Sequence, residues 1–375
     1  MDIARRTFLG ATTAALAGGA ASASAALAAQ TPAAPAIVQS QPELRWRMTS
    51  SFPRSLDSIY GAAQMLAKYV SDATDGRFQI QTFPAGELVP GLQAMDAVTS
   101  GAVECAQSAT YFYVGKNPAL GFGTGIPFGF NTRQQLSWWS FGGGEQLING
   151  ILERYKVIAI PAGNSGCQMG GFFRKPLEKV EDLKGLKFRI AGLGGQVLAR
   201  LGVIPQQIPP TDVYAALERG TIDAAEFVGP YDDEKLGLVQ VAKYYYYPGW
   251  WEGGALLHLM VNTDQWASLP KSYQSILRLA SDAANNWMLS RYDSVNPPAL
   301  RRLVQQGVEL RPFPAPIMEA SYKAAQSLYT ELSATNPDFK ACYDSMNAIR
   351  NEQLVWLQIG EYAFDSFNIR TRGKG

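Results

Sequence analysis

Leu44-Arg-Trp-Arg-Met48, the run Ser58 to Ala73, Phe78-Gln-Ile-Gln-Thr-Phe83, the run Pro90 to Ser100 and Val103 to Ala106 follow one another with only short breaks between them. The first and third alternate apolar with polar residues, as strands do, and the first has the look of an edge strand. In the second, Ile59, Ala62, Met65, Leu66, Tyr69 and Val70 recur at helical spacing, and Asp75-Gly76 ends it. Pro90 to Ser100 reads as a helix closed by Gly101, and Val103 to Ala106 as a short strand. Strand, helix, strand, helix, strand predicts a parallel sheet with right-handed crossovers, an α/β fold.

Further along the chain, Gln134 to Tyr155 is helical with a break at Gly142 to Gly144, and Val157-Ile-Ala-Ile160 is a buried strand. A second unit then begins. Gly170-Gly-Phe-Phe173, Lys187-Phe-Arg-Ile190 and Ala224 to Val228 read as strands, with Pro205 to Pro209 extended. Gly194 to Leu201 and Asp212 to Arg219 read as helices stopped by Gly202 and Gly220. Residues 265–290 and 299–306 are expected to be helical, as is an aromatic-rich segment from 336 to 368. The chain should therefore hold two α/β units, with extended crossings near 164–168 and 254–262. One domain takes 43–165 plus about 256–290 and the other 166–255 plus about 291–335, followed by a C-terminal helical extension over 336–375.

The 375 residues include 33 Lys+Arg, 32 Asp+Glu and one His, and 47% are hydrophobic. That composition suits two folded domains rather than a disordered chain. A formal charge of +1 gives no basic field for nucleic acid. One His argues against zinc, haem and His-based catalytic networks. Cys105, Cys167 and Cys342 contain no C-x-x-C pair, which argues against a zinc ribbon, and no essential disulfide is expected.

Residues 1–29 read as an export signal. Arg5-Arg6 precede Thr7-Phe8-Leu9, a mild Ala/Gly-rich stretch follows, and Ala26-Leu27-Ala28 offers a cleavage site. Paired arginines with a weakly apolar core point to the twin-arginine route. The run is too polar for a membrane anchor, which needs about 20 strongly apolar residues. Its removal takes Arg5, Arg6 and Asp2, so basic and acidic residues become equal in number. Residues 30–42, with three prolines, read as a disordered lead-in. The mature protein is expected in the periplasm.

Catalytic motifs are absent: no G-x-x-x-x-G-K-[ST], no H-E-x-x-H and no G-x-S-x-G. Gly192-Leu-Gly-Gly195 invites a dinucleotide reading, but position 197 is Val where a third glycine belongs. These glycines are better read as freeing backbone amides at an anion-favouring helix N-terminus. His258, inside Leu256-Leu-His-Leu-Met260, reads as a satisfied core histidine.

Polar groups also occur where the pattern calls for apolar ones. Arg189 lies inside Phe188-Arg-Ile190, Glu226 inside Ala224-Ala-Glu-Phe-Val228, Glu252 inside Trp250-Trp-Glu-Gly-Gly254, and Gln168 inside Ser165-Gly-Cys-Gln-Met-Gly-Gly171. A buried Arg needs a partner, and its fork suits a bidentate carboxylate. Two carboxylates and an amide oxygen make a hard-cation site if they converge, and spacing alone does not show convergence.

Leu183-Lys-Gly-Leu-Lys-Phe-Arg-Ile-Ala-Gly192, Asp212-Val-Tyr-Ala-Ala-Leu-Glu-Arg-Gly-Thr-Ile-Asp-Ala-Ala-Glu226, Val261-Asn-Thr-Asp-Gln-Trp-Ala-Ser-Leu-Pro270 and Phe83-Pro-Ala-Gly-Glu-Leu88 resemble the solute-binding proteins of tripartite ATP-independent periplasmic (TRAP) transporters. The resemblance covers about residues 44–335. Gln168-Met-Gly-Gly-Phe-Phe-Arg174 and Glu226-Phe-Val-Gly-Pro-Tyr-Asp-Asp-Glu-Lys235 look closest to the branch that binds 2-oxo acids and related monocarboxylates. It implies a two-domain periplasmic binding protein, type II-like, with a long domain-spanning helix and a C-terminal helix. It further implies that Arg189 pairs with the ligand carboxylate. A cation, sodium or calcium, would be held by Gln168, Glu226, the Phe227 carbonyl and Glu252. Gln168, Asn164 and a ring from Tyr111-Phe-Tyr113, taken as Tyr111, would complete the ligand shell. Phe227 stands where that branch carries Trp, which a carbonyl ligand tolerates but which alters the pocket's shape.

On this reading the protein binds a small carboxylate and a cation in a closing cleft, hands the carboxylate to the membrane subunits of the transporter, and is not an enzyme. An exported enzyme using Glu226 or Glu252 as a base, and a ligand-binding partner of a sensor, share the same sequence features. The apolar residues Met346, Ile349, Leu357, Tyr362, Phe364 and Phe367 either pack on their own domain or form a homodimer contact through the C-terminal helix.

Overall fold

A computed structural model describes residues 41–372; the expected export signal and most of the lead-in lie outside them. Eleven strands occur among the described residues: β1 Leu44–Ser50, β2 Phe78–Phe83, β3 Cys105–Ser108, β4 Val157–Asn164, β5 Gly171–Phe173, β6 Lys187–Arg189, β7 Ile204–Gln206, β8 Ala224–Ala225, β9 Tyr244–Tyr247, β10 Leu256–Asn262 and β11 Glu309–Pro312. They form two sheets, ordered β2-β1-β3-β10-β4 and β11-β9-β5-β8-β6-β7, each packed with helices into a lobe.

In the first sheet β1 runs parallel to both β2 and β3, with Leu44 opposite Phe78 and Met48 opposite Cys105. The crossover reading therefore holds, but β1 lies inside the sheet rather than at its edge. Trp46 and Met48 fill the core while Arg47 bonds Glu104, the residue just before β3, so an interior strand keeps one polar face and alternates like an edge. β10 enters antiparallel between β3 and β4 with a bulge at Leu257/His258. His258 is buried and lies 4.8 Å from the Trp139 ring. Neither of its nitrogens has a partner among the described residues, so it is a core histidine but not a satisfied one, and burial pushes its pKa down to about 3.

The second sheet is mixed: β6 is parallel to β7 and β8, while β5 is antiparallel to β8 and β9. β8 stops at Ala225, short of the expected Val228. The chain passes from the first sheet to the second between β4 and β5 and returns between β9 and β10. These two crossings and the carboxyl ends of β6 and β8 meet between the lobes, the place where open α/β sheets bind ligands.

Residues 265–306 differ from expectation. A short helix, Thr263–Ser268, is followed by one continuous helix, Lys271–Gln305, with Pro297 and Pro298 inside it. It packs on the helix Ile59–Ala73 and β4 in the first lobe and on the helix Pro230–Lys235 in the second. The prolines carry no N–H, so the Asp293 and Ser294 carbonyls lose their helical donors, and the helix is weakest there. Burial of Tyr292, Ala299 and Leu303 on either side holds it together. The lead-in is ordered by Gln41 and Pro42, whose oxygens accept from Ser272 and Tyr273 at 2.9 and 2.8 Å.

The C-terminal extension comprises helix Pro337–Leu357, a π-helical turn Gln358–Tyr362 and helix Ala363–Thr371. Phe339, Cys342 and Met346 are buried against the first lobe, and Trp138 Nε1 donates to Ser345 Oγ at 2.9 Å. Beyond that the apolar side chains lose their cover: Trp356, Ile359, Tyr362, Phe364, Phe367 and Ile369 are all more than half exposed. Of the cysteines, Cys105 and Cys342 are buried and Cys167 is exposed, none of them bonded to another.

Candidate functional site

Arg189 ends β6 and is only 2% exposed. Its Nε donates to the Ile208 carbonyl at 3.1 Å, and its Nη1 donates to Glu226 Oε1 at 2.6 Å and to the Glu226 carbonyl. The guanidinium also lies over the Phe227 ring, 5.5 Å from its centre. Only Nη2 lacks a partner among the described residues. The fork is thus largely spent on the protein, so a grip through both Nη atoms is not open in this arrangement and only the two N–H of Nη2 remain for an anion.

Glu226 follows β8 directly, and its backbone N–H still bonds the Arg189 carbonyl at 3.1 Å. Its side chain turns out of the ladder because Arg189 and the Ala191 N–H, 3.2 Å away, both hold Oε1. Ala191 caps the helix Gly192–Ala199, so the anion at that helix N-terminus is Glu226 itself. Gly192 adopts φ +63°, and a Cβ there would come within 2.8 Å of the Tyr111 ring; only glycine lets the two lobes approach this closely. The other carboxylate atom, Glu226 Oε2, is buried without a partner among the described residues.

Gln168 and Glu252 arrive on the two crossings. Gln168 Nε2 meets Ser165 Oγ at 2.8 Å, a hydroxyl that also accepts from the Ala255 N–H at 2.9 Å. Gln168 Oε1 then faces Glu252 Oε1 at 2.9 Å and the Phe227 carbonyl at 3.2 Å. Three acceptor oxygens cannot attract one another. Either the amide turns over, with its nitrogen donating to both and Ser165 donating to its oxygen, or a cation stands among them. Ser165, as both donor and acceptor, serves either state. Burial, with Glu226 adding to it and Arg189 opposing, pushes the Glu252 carboxyl well above its ordinary value. Burial also raises Glu226, against the pull of Arg189.

Tyr111 lines the same hollow with Ser165, Gln168 and Phe227, whereas Tyr113 is turned into the first lobe, its hydroxyl taken by the Met95 N–H and Ser108. Burial raises the Tyr111 phenol, and the fields of Glu252 and Glu226 reach it. Asn164 is fully buried at the end of β4. Its Oδ1 accepts from Thr132 Oγ1 at 3.1 Å and from the Gly166 N–H at 2.8 Å, and its Nδ2 has no partner among the described residues. It supports the crossing but makes no hydrogen bond to Arg189, Gln168 or the acids.

Sequence reasoning missed Ser165 and the apolar wall of Phe52, Ile59, Phe112, Val228 and Leu257 that closes the hollow. Ser165 lay beside Gln168 and could have been found. The wall comes from four separate segments and carries no local signal. Wider hollows elsewhere are open grooves; in one, Arg278 is already paired with Glu145.

Residues 49–336 match the family described as DctP: bacterial extracellular solute-binding protein, family 7. The chain belongs to this family. A relative in Nostoc sp., named a monocarboxylate 2-oxoacid-binding periplasmic protein, is 49% identical over 87% of this chain and 89% of its own. Among solved structures, a TRAP transporter solute-binding protein from Bordetella bronchiseptica is 49% identical, covers 89% of this chain and 99% of its own, and superposes with a TM-score of 0.88. It is described as a mixed-occupancy dimer with calcium and picolinate in one active site and the other site apo. A TRAP periplasmic solute-binding protein from Pseudoalteromonas atlantica, 36% identical over 86% of this chain and 99% of its own with a TM-score of 0.84, holds sodium and pyruvate. This DctP-family chain is thus a TRAP transport solute-binding protein, and its two-sheet architecture is that of the family.

Proposed function

We propose that this protein captures a 2-oxo monocarboxylate together with sodium or calcium in the cleft between its lobes and delivers the carboxylate to the membrane subunits of a TRAP transporter. The observation that carries this reading is the convergence of a Glu252 oxygen and the Phe227 carbonyl on the Gln168 amide, at 2.9 and 3.2 Å, together with the buried Glu226 Oε2, which has no partner among the described residues. Gln168, Glu226, Phe227 and Glu252 would hold the cation, all through oxygen, as hard cations require. The bound cation would supply positive charge to the ligand's carboxylate and 2-oxo oxygens.

The chain's own groups do the rest. Arg189 offers Nη2 to the carboxylate and keeps Glu226 oriented. Tyr111 brings a ring from the first lobe, Asn164 holds the crossing next to Ser165, and the apolar wall excludes water and a second charged group. With both acids ionised, Glu226, Glu252 and Arg189 sum to one negative charge, which a divalent cation and a monocarboxylate bring to zero. With sodium the sum reaches zero when Glu252 keeps its proton. No bond is made or broken. The test is calorimetry with pyruvate on chelator-stripped protein, repeated with calcium and with sodium. Saturable binding that needs a cation, with pyruvate recovered unchanged, is expected; conversion of pyruvate would favour the enzyme reading instead.

We also propose that the exposed apolar side chains of Trp356, Ile359, Phe364 and Phe367 are covered by a second copy of this chain, as the dimer reported for the Bordetella relative supports. Light scattering is expected to give twice the chain mass, and Trp356→Asp with Phe364→Asp the single mass. A monomeric parent protein would remove this contact.

A further inference from the structure

Asp57 stands in the turn before the helix Ile59–Ala73 of the first lobe. Its carboxylate accepts from groups outside that turn: Lys235 Nζ at 2.5 Å, the Tyr231 hydroxyl at 3.2 Å and Arg291 Nη2 at 3.0 Å. The surrounding bonds tighten the node. Lys235 also donates to the Ser55 carbonyl at 3.3 Å, Arg291 Nε donates to Ser58 Oγ at 3.1 Å, and both cations lie over the Tyr231 ring. Burial pushes the Asp57 carboxyl up, but Lys235, Tyr231 and Arg291 pull it below its ordinary value, so it is charged near neutral pH.

Tyr231 and Lys235 belong to the helix Pro230–Lys235, which begins just after the Glu226-Phe227-Val228 segment of the site. That helix is fixed to the second lobe and the long helix. The Tyr231 N–H bonds Asn296 Oδ1 at 3.0 Å, and the buried carboxyls of Asp232 and Asp233 accept from the Tyr292 and Tyr245 hydroxyls. It therefore moves as one piece with the segment that carries Glu226 and Phe227. Asp57 is the first-lobe carboxylate that grips this piece, and it does so where the long helix, through Arg291, approaches its proline pair.

We propose that Asp57 is a positioning residue for solute binding: it ties the helix Pro230–Lys235, and through it the Glu226–Val228 segment, to the first lobe and thereby slows release of the bound solute. This rests on the binding reading above. Asp57, Lys235 and Arg291 are each about one-third to one-half exposed, so the effect is one of several-fold and falls with ionic strength.

The experiment is stopped-flow tryptophan fluorescence with pyruvate and saturating calcium chloride. Asp57→Asn is expected to speed release by about threefold to tenfold with association changed less than about twofold. Asp57→Glu should restore part of the slow release. Choline chloride, which adds no competing cation of the site, should speed release from the parent protein and leave Asp57→Asn unaffected. A lowered melting temperature of ligand-free Asp57→Asn with an unchanged release rate would show a merely structural residue and overturn the proposal. Should the parent protein bind no pyruvate, the binding reading fails separately. X-ray scattering of the ligand-free proteins then decides: a larger radius of gyration for Asp57→Asn supports the tie, and superimposable profiles overturn it.

Discussion

Arg189→Ala is expected to abolish pyruvate binding in calorimetry and to lower the melting temperature of the ligand-free protein. The guanidinium and Glu226 are both almost wholly buried, and Arg189 supplies two of the three donors on the Glu226 side chain and carbonyl. Removing it leaves a buried carboxylate with only the Ala191 N–H, a loss of about 3–5 kcal/mol for a broken buried pair. It also frees the Ile208 carbonyl and takes away Nη2, the group proposed to meet the ligand carboxylate. Arg189→Lys should recover little, because one ammonium cannot reach Ile208, Glu226 and a ligand in the fork geometry. Binding of Arg189→Ala within about threefold of the parent protein would refute the assigned role.

Glu252→Gln should give two effects of opposite sign. The Glu252 carboxyl is 2% exposed, and burial and Glu226 raise it. Its Oε1 lies 2.9 Å from the Gln168 amide. A neutral amide removes that buried charge and can still pair with the Gln168 amide. The ligand-free variant should therefore melt higher than the parent protein, by about 1 kcal/mol or more in stability. The same change removes a proposed charged cation ligand, so the rise in melting temperature on adding calcium with pyruvate should vanish, with affinity falling about 100-fold or more. A variant that is merely damaged would lose both, and a variant that kept its calcium response would remove Glu252 from the cation set.

Much of this site was legible as local anomaly. Arg189, Glu226 and Glu252 each interrupt an apolar stretch, and a charge in such a place must be paired or functional. What no spacing could show is that they meet, because Gln168 and Glu252 ride on crossings between sheets while Arg189 ends one strand and Glu226 follows the strand beside it. The role proposed for Phe227 depends on its carbonyl, which the side-chain sequence does not encode; it came from resemblance to a family. The parallel start of the chain was legible because β1 and β2 keep a two-residue period. β9 was not, since Tyr244 to Tyr247 present four identical side chains with no alternation. The helix Ala315–Thr335 was missed as well. The proline pair pointed to a break where burial on both sides sustains a continuous helix.

That continuous helix restricts how the two halves of the molecule can part. A rod anchored in both lobes fixes their separation along its axis, so neither can slide past the other. The pliant stretch around Asp293 to Pro298 allows swinging about one elbow instead. A solute then leaves through a widening angle rather than a lengthening gap, and every contact across the crevice loosens in an order set by its distance from that elbow.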